Sequence, residues 1–149
     1  MKTPVAVASK YGILIAVSLI AYFLILKLAG LHEVAWLRLF NGVIMAGGLY
    51  LSIKSYKSSP DFDYINGFKT GLLTGGIATI LFSLFISIYM FHIDPSFAQL
   101  LLDEWFYDYN QGTRILVFIV FIEGLASTVV LTLSFMQIFK TSRNISQNY

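Results

Sequence analysis

The chain contains no cysteine. That excludes disulfides, thiolate metal sites, a cysteine nucleophile and a lipoprotein anchor. Charge is also scarce. Only 12% of the 149 residues are Asp, Glu, Lys or Arg, against about 25% in an ordinary soluble domain. The net charge of +2 is too small to point to nucleic acid as a partner. Proline is confined to Pro4, Pro60 and Pro95, and none of them interrupts a long apolar run. Catalytic signatures are missing as well. There is no HExxH, GxSxG or Walker loop, and no acidic cluster suited to a metal. His32 and His92 stand far apart. These absences predict a chain that is not an enzyme and holds no metal and no cofactor.

What is abundant is apolar surface: 57% of residues are hydrophobic and the mean hydropathy is +0.74. Four runs stand out, at about 11–28, 34–53, 70–91 and 115–139. Each approaches the ~20 residues that a helix needs to cross a hydrocarbon core of about 30 Å. They are apolar on all sides rather than alternating, which disfavours strands. Backbone groups in lipid must bond within their own segment, so helix is the expected state. The predicted fold is all-α: one polytopic membrane domain over residues 1–149, built as a four-helix bundle in contact with the lipid bilayer.

Orientation follows from the basic residues. With the N-terminus inside, Lys2, Lys10, Lys54, Lys57, Lys69, Lys140 and Arg143 are cytoplasmic, while Lys27, Arg38 and Arg114 lie outside. This bias predicts a bacterial inner-membrane protein with both termini in the cytoplasm. The outer loop before the last span carries Asp94, Asp103, Glu104 and Asp108 and no Lys or Arg. Asp94-Pro95 reads as an N-cap followed by proline in the first turn. Phe97, Leu100, Leu101, Trp105 and Tyr109 then recur at helical spacing. A short amphipathic interfacial helix is expected over about 95–109. It either caps the bundle or offers an outer docking surface through Trp105, Asp103, Glu104 and Asp108.

The third span carries small residues at every fourth position: Gly67, Gly71, Gly75, Thr79, Ser83 and Ser87. These share one helix face, and small faces let helices approach closely in lipid. The stripe serves helix packing within one chain, self-association, or a ligand path. Three polar residues fall at comparable depth in the outer half. Arg38 lies about one turn into the second span, Asn41 shares its face, and Glu123 lies about 12 Å into the fourth span at 1.5 Å per residue. An ionised group near the bilayer centre costs on the order of 2.5–3.5 kcal/mol on insertion scales, so something must offset Glu123. Pairing with Arg38 or protonation would do so; the residues therefore form either a structural Arg38–Glu123 ion pair or, with Asn41, a polar site for an ion, a proton or a small solute. Tyr11, Trp36, Tyr50, Tyr56, Tyr89, Phe91 and Trp105 lie near span ends, as an interfacial aromatic belt would.

Two passages carry a family likeness. Lys10-Tyr11-Gly12 opens an apolar run. Ser52-Ile53-Lys54-Ser55-Tyr56-Lys57 is followed by Tyr64-Ile65-Asn66-Gly67-Phe68-Lys69-Thr70-Gly71. The chain resembles a four-pass membrane family common in Bacteroidota and known only as a domain of unknown function. That likeness implies the topology and no activity. Two functions therefore stand side by side. One is a non-catalytic accessory or scaffold subunit that docks other membrane proteins. The other is a small oligomeric transporter or channel that uses Arg38, Asn41 and Glu123.

Overall fold

The computed structural model describes residues 3–32, 34–105 and 112–140. Within them every regular element is helical: α1 (Pro4–Leu28), α2 (Ala35–Lys57), α3 (Tyr64–Ile88) running on as a π-helical turn (Tyr89–Ile93), α4 (Pro95–Trp105) and α5 (Arg114–Phe139). Four stretches are long and apolar enough to cross a membrane: Pro4–Leu28, Trp36–Lys57, Tyr64–Ile93 and Arg114–Phe139. Much of that apolar surface faces outward. Val17 is 57% exposed, Val43 64% and Ile138 67%. Soluble monomers rarely present contiguous apolar faces of this kind, and lipid is the solvent that suits them. The chain is a multi-pass membrane protein.

Each helix extends past its apolar run, and local chemistry explains where it stops. α1 starts at Pro4 because the hydroxyl of Thr3 accepts a hydrogen bond from the amide of Ala6 at 3.2 Å, and proline suits the first turn. It ends where Gly30 takes φ +68°. The Gly30 amide donates to the carbonyl of Lys27 and the Leu31 amide to that of Leu26, so the last carbonyls are satisfied by a left-handed C-terminal residue. α3 begins at Tyr64, where the Asp63 carboxylate accepts from the amide of Asn66 at 2.7 Å.

α2 and α3 form the inner pair of the bundle. Each packs against α1 on one side and α5 on the other. The bundle therefore has two ends. Both described chain ends, Thr3 and Lys140, lie at one, here the terminal end, and α4 lies at the other. Tyr56 is buried at the terminal end and Tyr89 at the α4 end, so these two tyrosines belong to the core and not to the expected belt. Trp36, 77% exposed, is placed as a belt residue would be.

Candidate functional site

The terminal half of the bundle is closed. The small residues of α3 face α5 of the same chain: Gly67 meets Met136, Gly71 meets Thr132, Gly75 meets Thr128, and Thr79 meets Gly124. Because the helices run antiparallel, each step of four on α3 is answered by a step of four on α5. A methyl group placed on Gly71 or Gly75 would overlap the threonine opposite, and one on Gly124 would lie 2.6 Å from Thr79 Cγ2. Two hydroxyl contacts brace this half, although Thr132 Oγ1 is buried there with no hydrogen-bond partner among the described residues. Ser52 Oγ of α2 and Thr74 Oγ1 of α3 lie 2.7 Å apart across the helix interface, and Thr128 donates to the carbonyl of Gly124 at 2.7 Å.

One step beyond Thr79 the ladder gives way to a cavity of about 640 Å3. Most of its wall is apolar, with Leu19 and Phe23 from α1, Met45 from α2, Phe82 and Ile86 from α3, and Val120 from α5. Arg38 and Asn41 of α2 and Glu123 of α5 open onto it, beside Thr79, Ser83 and Ser127. The structure thus brings together the three polar residues singled out by depth. Glu123 is exposed, whereas Arg38 and Asn41 are half-buried. Asn41 Oδ1, Thr79 Oγ1 and Ser83 Oγ are buried atoms with no hydrogen-bond partner among the described residues. An unmet buried polar group costs about 1–3 kcal/mol. Thr79 and Ser83 belong to the small-residue stripe, for which the sequence leaves packing, self-association and a ligand path open; both line the cavity. Ser87, the last of the stripe, is half-buried.

The α4 end of the cavity is roofed. α4 folds back and buries Phe97, Ala98, Leu101 and Leu102 against Ile86, Tyr89, Met90 and Leu116. Phe97 and Leu101 also line the cavity. Leu100, expected on the apolar face, is instead 37% exposed, because the buried face is centred on 97, 98, 101 and 102. Around Phe97 the rings of Phe23 and Tyr89 make edge-on contacts at 5.8 Å each, and His32 lies 5.1 Å away. Of the acidic residues of the expected docking surface, Asp103 is exposed on α4. The side chains of Glu104 and Trp105, and the whole of Asp108, lie outside the described residues.

The link between α3 and α4 is held by Asp94. Its carboxylate accepts from the Ser96 hydroxyl and from the Phe97 amide, and from the Tyr89 hydroxyl at 3.3 Å. It lies 4.0 Å from Lys27 Nζ of α1, which also sits 4.4 Å over the Tyr89 ring. These contacts hold the carboxyl below the usual carboxylate range, the Ser96 hydroxyl contributing most, while partial burial opposes them. The sequence suggested Asp94 as a cap. Its link to Lys27 joins residues 67 positions apart, which no local signal announces.

No curated protein and no solved structure matches the chain. Residues 10–106, from the second turn of α1 to the end of α4, match the family described as "Protein of unknown function (DUF4199)". That stretch takes in the cavity walls from α1, α2 and α3 and the α4 roof, and the chain belongs to the DUF4199 family.

Proposed function

We propose that this chain is a non-catalytic inner-membrane protein, with both termini in the cytoplasm, that receives a small molecule in the cavity between α1, α2, α3 and α5. The observation that carries the reading is that Arg38, Asn41 and Glu123, from two different helices, open onto one cavity together with the unpartnered hydroxyls of Thr79 and Ser83. A mostly apolar cavity of this size with a few convergent polar groups is the usual form of a ligand site. Release on the far side of a membrane would require α3 and α5 to part along the glycine–threonine ladder. The reading is therefore of a transporter-like or ligand-sensing protein and not of an open pore.

The test is to purify tagged wild type, Arg38→Gln and Glu123→Gln from native membranes and identify the small molecules each retains by mass spectrometry. A species held by the wild type and depleted in both variants is expected. Identical profiles for the three proteins would exclude the cavity as the working site.

A second reading, an accessory subunit that docks other membrane proteins, draws support from the outer face of α4, where Gln99, Leu100 and Asp103 are exposed. The α3 stripe does not add to it, because that face is taken up by α5. A lone monomer recovered in mild detergent, with no stoichiometric companion, would sink this reading.

A further inference from the structure

We infer that the cavity takes a neutral, single-tailed amphiphile with a hydroxylated head, admitted sideways from the bilayer between α2 and α5. The inference rests on the cavity being the working site and names what enters it.

The route follows from what closes each side. Towards the terminal end, the contacts of Gly71, Gly75 and Gly124 leave no gap between α3 and α5. Towards the α4 end, Phe97 and Leu101 form a roof braced by Phe23 and Tyr89. Between α2 and α5, by contrast, a shallow groove shares Leu39, Gly42, Ala126 and Ser127 with the cavity. Three of these four side chains are the smallest available. A Cβ built on Gly42 would meet nothing within 4 Å. The groove continues along Val43 and Val130, which are 64% and 62% exposed on surfaces that suit lipid. A molecule dissolved in the bilayer meets this opening directly, and a water-soluble one does not.

The wall chemistry selects the molecule. Apolar side chains make up most of the lining, so the bulk of the occupant is hydrocarbon. A volume of about 640 Å3 lies within the ~300–1,000 Å3 typical of ligand pockets. The head must answer Asn41 Oδ1, Thr79 Oγ1 and Ser83 Oγ, buried cavity atoms that lack partners, while His32 Nδ1 lacks one beside Phe97 of the roof. Thr79 is 4% exposed and Ser83 6%. A hydroxyl can donate or accept, but an amide oxygen only accepts. The ligand must therefore bring a donor. Ionised carboxylate and phosphodiester heads accept only, whereas an alcohol does both. Arg38 and Glu123 both line the cavity, and their opposite formal charges give neither sign of head group an advantage.

Native mass spectrometry of the full-length protein in detergent tests this with four probes: 1-monooleoylglycerol, sodium oleate, methyl oleate and glycerol. One 1-monooleoylglycerol per chain is expected, with oleate and methyl oleate about tenfold weaker and glycerol not retained. The double variant Thr79→Val/Ser83→Ala should weaken 1-monooleoylglycerol about tenfold, as the loss of two modest hydrogen bonds implies, and leave methyl oleate unchanged. Gly42→Leu, which fills the slot, should slow loading. Oleate or methyl oleate binding as well as 1-monooleoylglycerol would overturn the head-group assignment and leave the cavity reading standing. Glycerol bound at comparable concentration would overturn entry from the bilayer, with the cavity reading again intact. Lipid binding unaffected by the double variant would place the lipid elsewhere and overturn the inference. No probe bound, together with native-membrane profiles identical in Arg38→Gln and wild type, would overturn the cavity reading itself.

Discussion

The two halves of the bundle are built from the same stripe of small residues on α3, yet one half is closed and the other holds a cavity. In the terminal half the stripe meets Met136, Thr132, Thr128 and Gly124 on α5, and the complement is tight enough that Gly71 and Gly75 have no room for a methyl. In the α4 half the stripe continues as Ser83, while α5 presents Val120 and Leu116 to the cavity. A small residue brings helices together in lipid only when its partner fills the notch. Ser83 has no such partner, and space remains.

The largest effect expected from this contrast is at Gly75. Gly75→Leu forces a side chain into Thr128 and should destabilise by about 3 kcal/mol or more, at or beyond the upper end of ordinary overpacking penalties. Gly42→Leu at the cavity mouth enters open space and should not destabilise, since replacing a mid-helix glycine gains up to about 1 kcal/mol. Thermal melting of the two variants in the same detergent compares the halves directly, and equal losses would break the distinction. The contact can be isolated with a milder pair. Gly75→Ala should cost about 1–3 kcal/mol, and Thr128→Ala should restore part of it through a coupling of about 0.5–3 kcal/mol.

How much of this was legible beforehand follows from the range of each interaction. The four spans and α4 were readable, because hydropathy and capping are local properties: four long apolar runs, and the Asp94-Pro95 start. The first apolar run starts at Tyr11, whereas α1 begins at Pro4, for which Thr3-Pro4 is itself a helix-start signal. The depth argument placed Arg38, Asn41 and Glu123 at one level, and all three line one cavity. The cavity itself was not legible, since an unfilled volume depends on which side chains meet across four helices. Nor was the burial of Tyr56 and Tyr89, because position near a span end does not say whether a ring turns to lipid or to the core.

A smaller effect separates Ser52 of the closed half from Ser83 at the cavity. Ser52 Oγ is bonded to Thr74 Oγ1 at 2.7 Å, so Ser52→Ala should cost about 0.6 kcal/mol, with an upper limit near 2, as interhelical bonds in membranes do. Thr74 keeps its bond to the carbonyl of Thr70 in that variant, which holds the loss to the lower figure. Ser83→Ala removes a hydroxyl without a protein partner, so ligand-free protein should be unchanged or slightly more stable. Melting measured before and after adding 1-monooleoylglycerol sharpens the comparison. The penalty for Ser83→Ala should emerge only with the lipid present, and one already present without it would mean that the protein satisfies this hydroxyl by itself.

The smallest expected effect is the pH response of the α4 roof, and its sign can be worked out from Asp94. Hydrogen bonds from Ser96, Phe97 and Tyr89 and the charge of Lys27 favour the carboxylate, so its pKa is lower in the folded protein than in an unfolded chain. Folding then contributes stability that is fully present above the unfolded value, about 3.9, and is lost as pH falls through the lowered folded value. The group is partly exposed, with 27% of its side chain open to solvent, so screening keeps the contribution small. Hydrogen exchange compared at about pH 5 and about pH 2.5, corrected for intrinsic rates, should show protection falling for the amides from Phe97 to Leu102. Those from Thr70 to Gly75 in the closed half should hold. Asp94→Asn should give α4 amides whose protection is equally low at both pH values. Loss of protection in both halves together would mean that the roof does not move independently of the ladder, and the distinction between a fixed half and an adaptable one would fail.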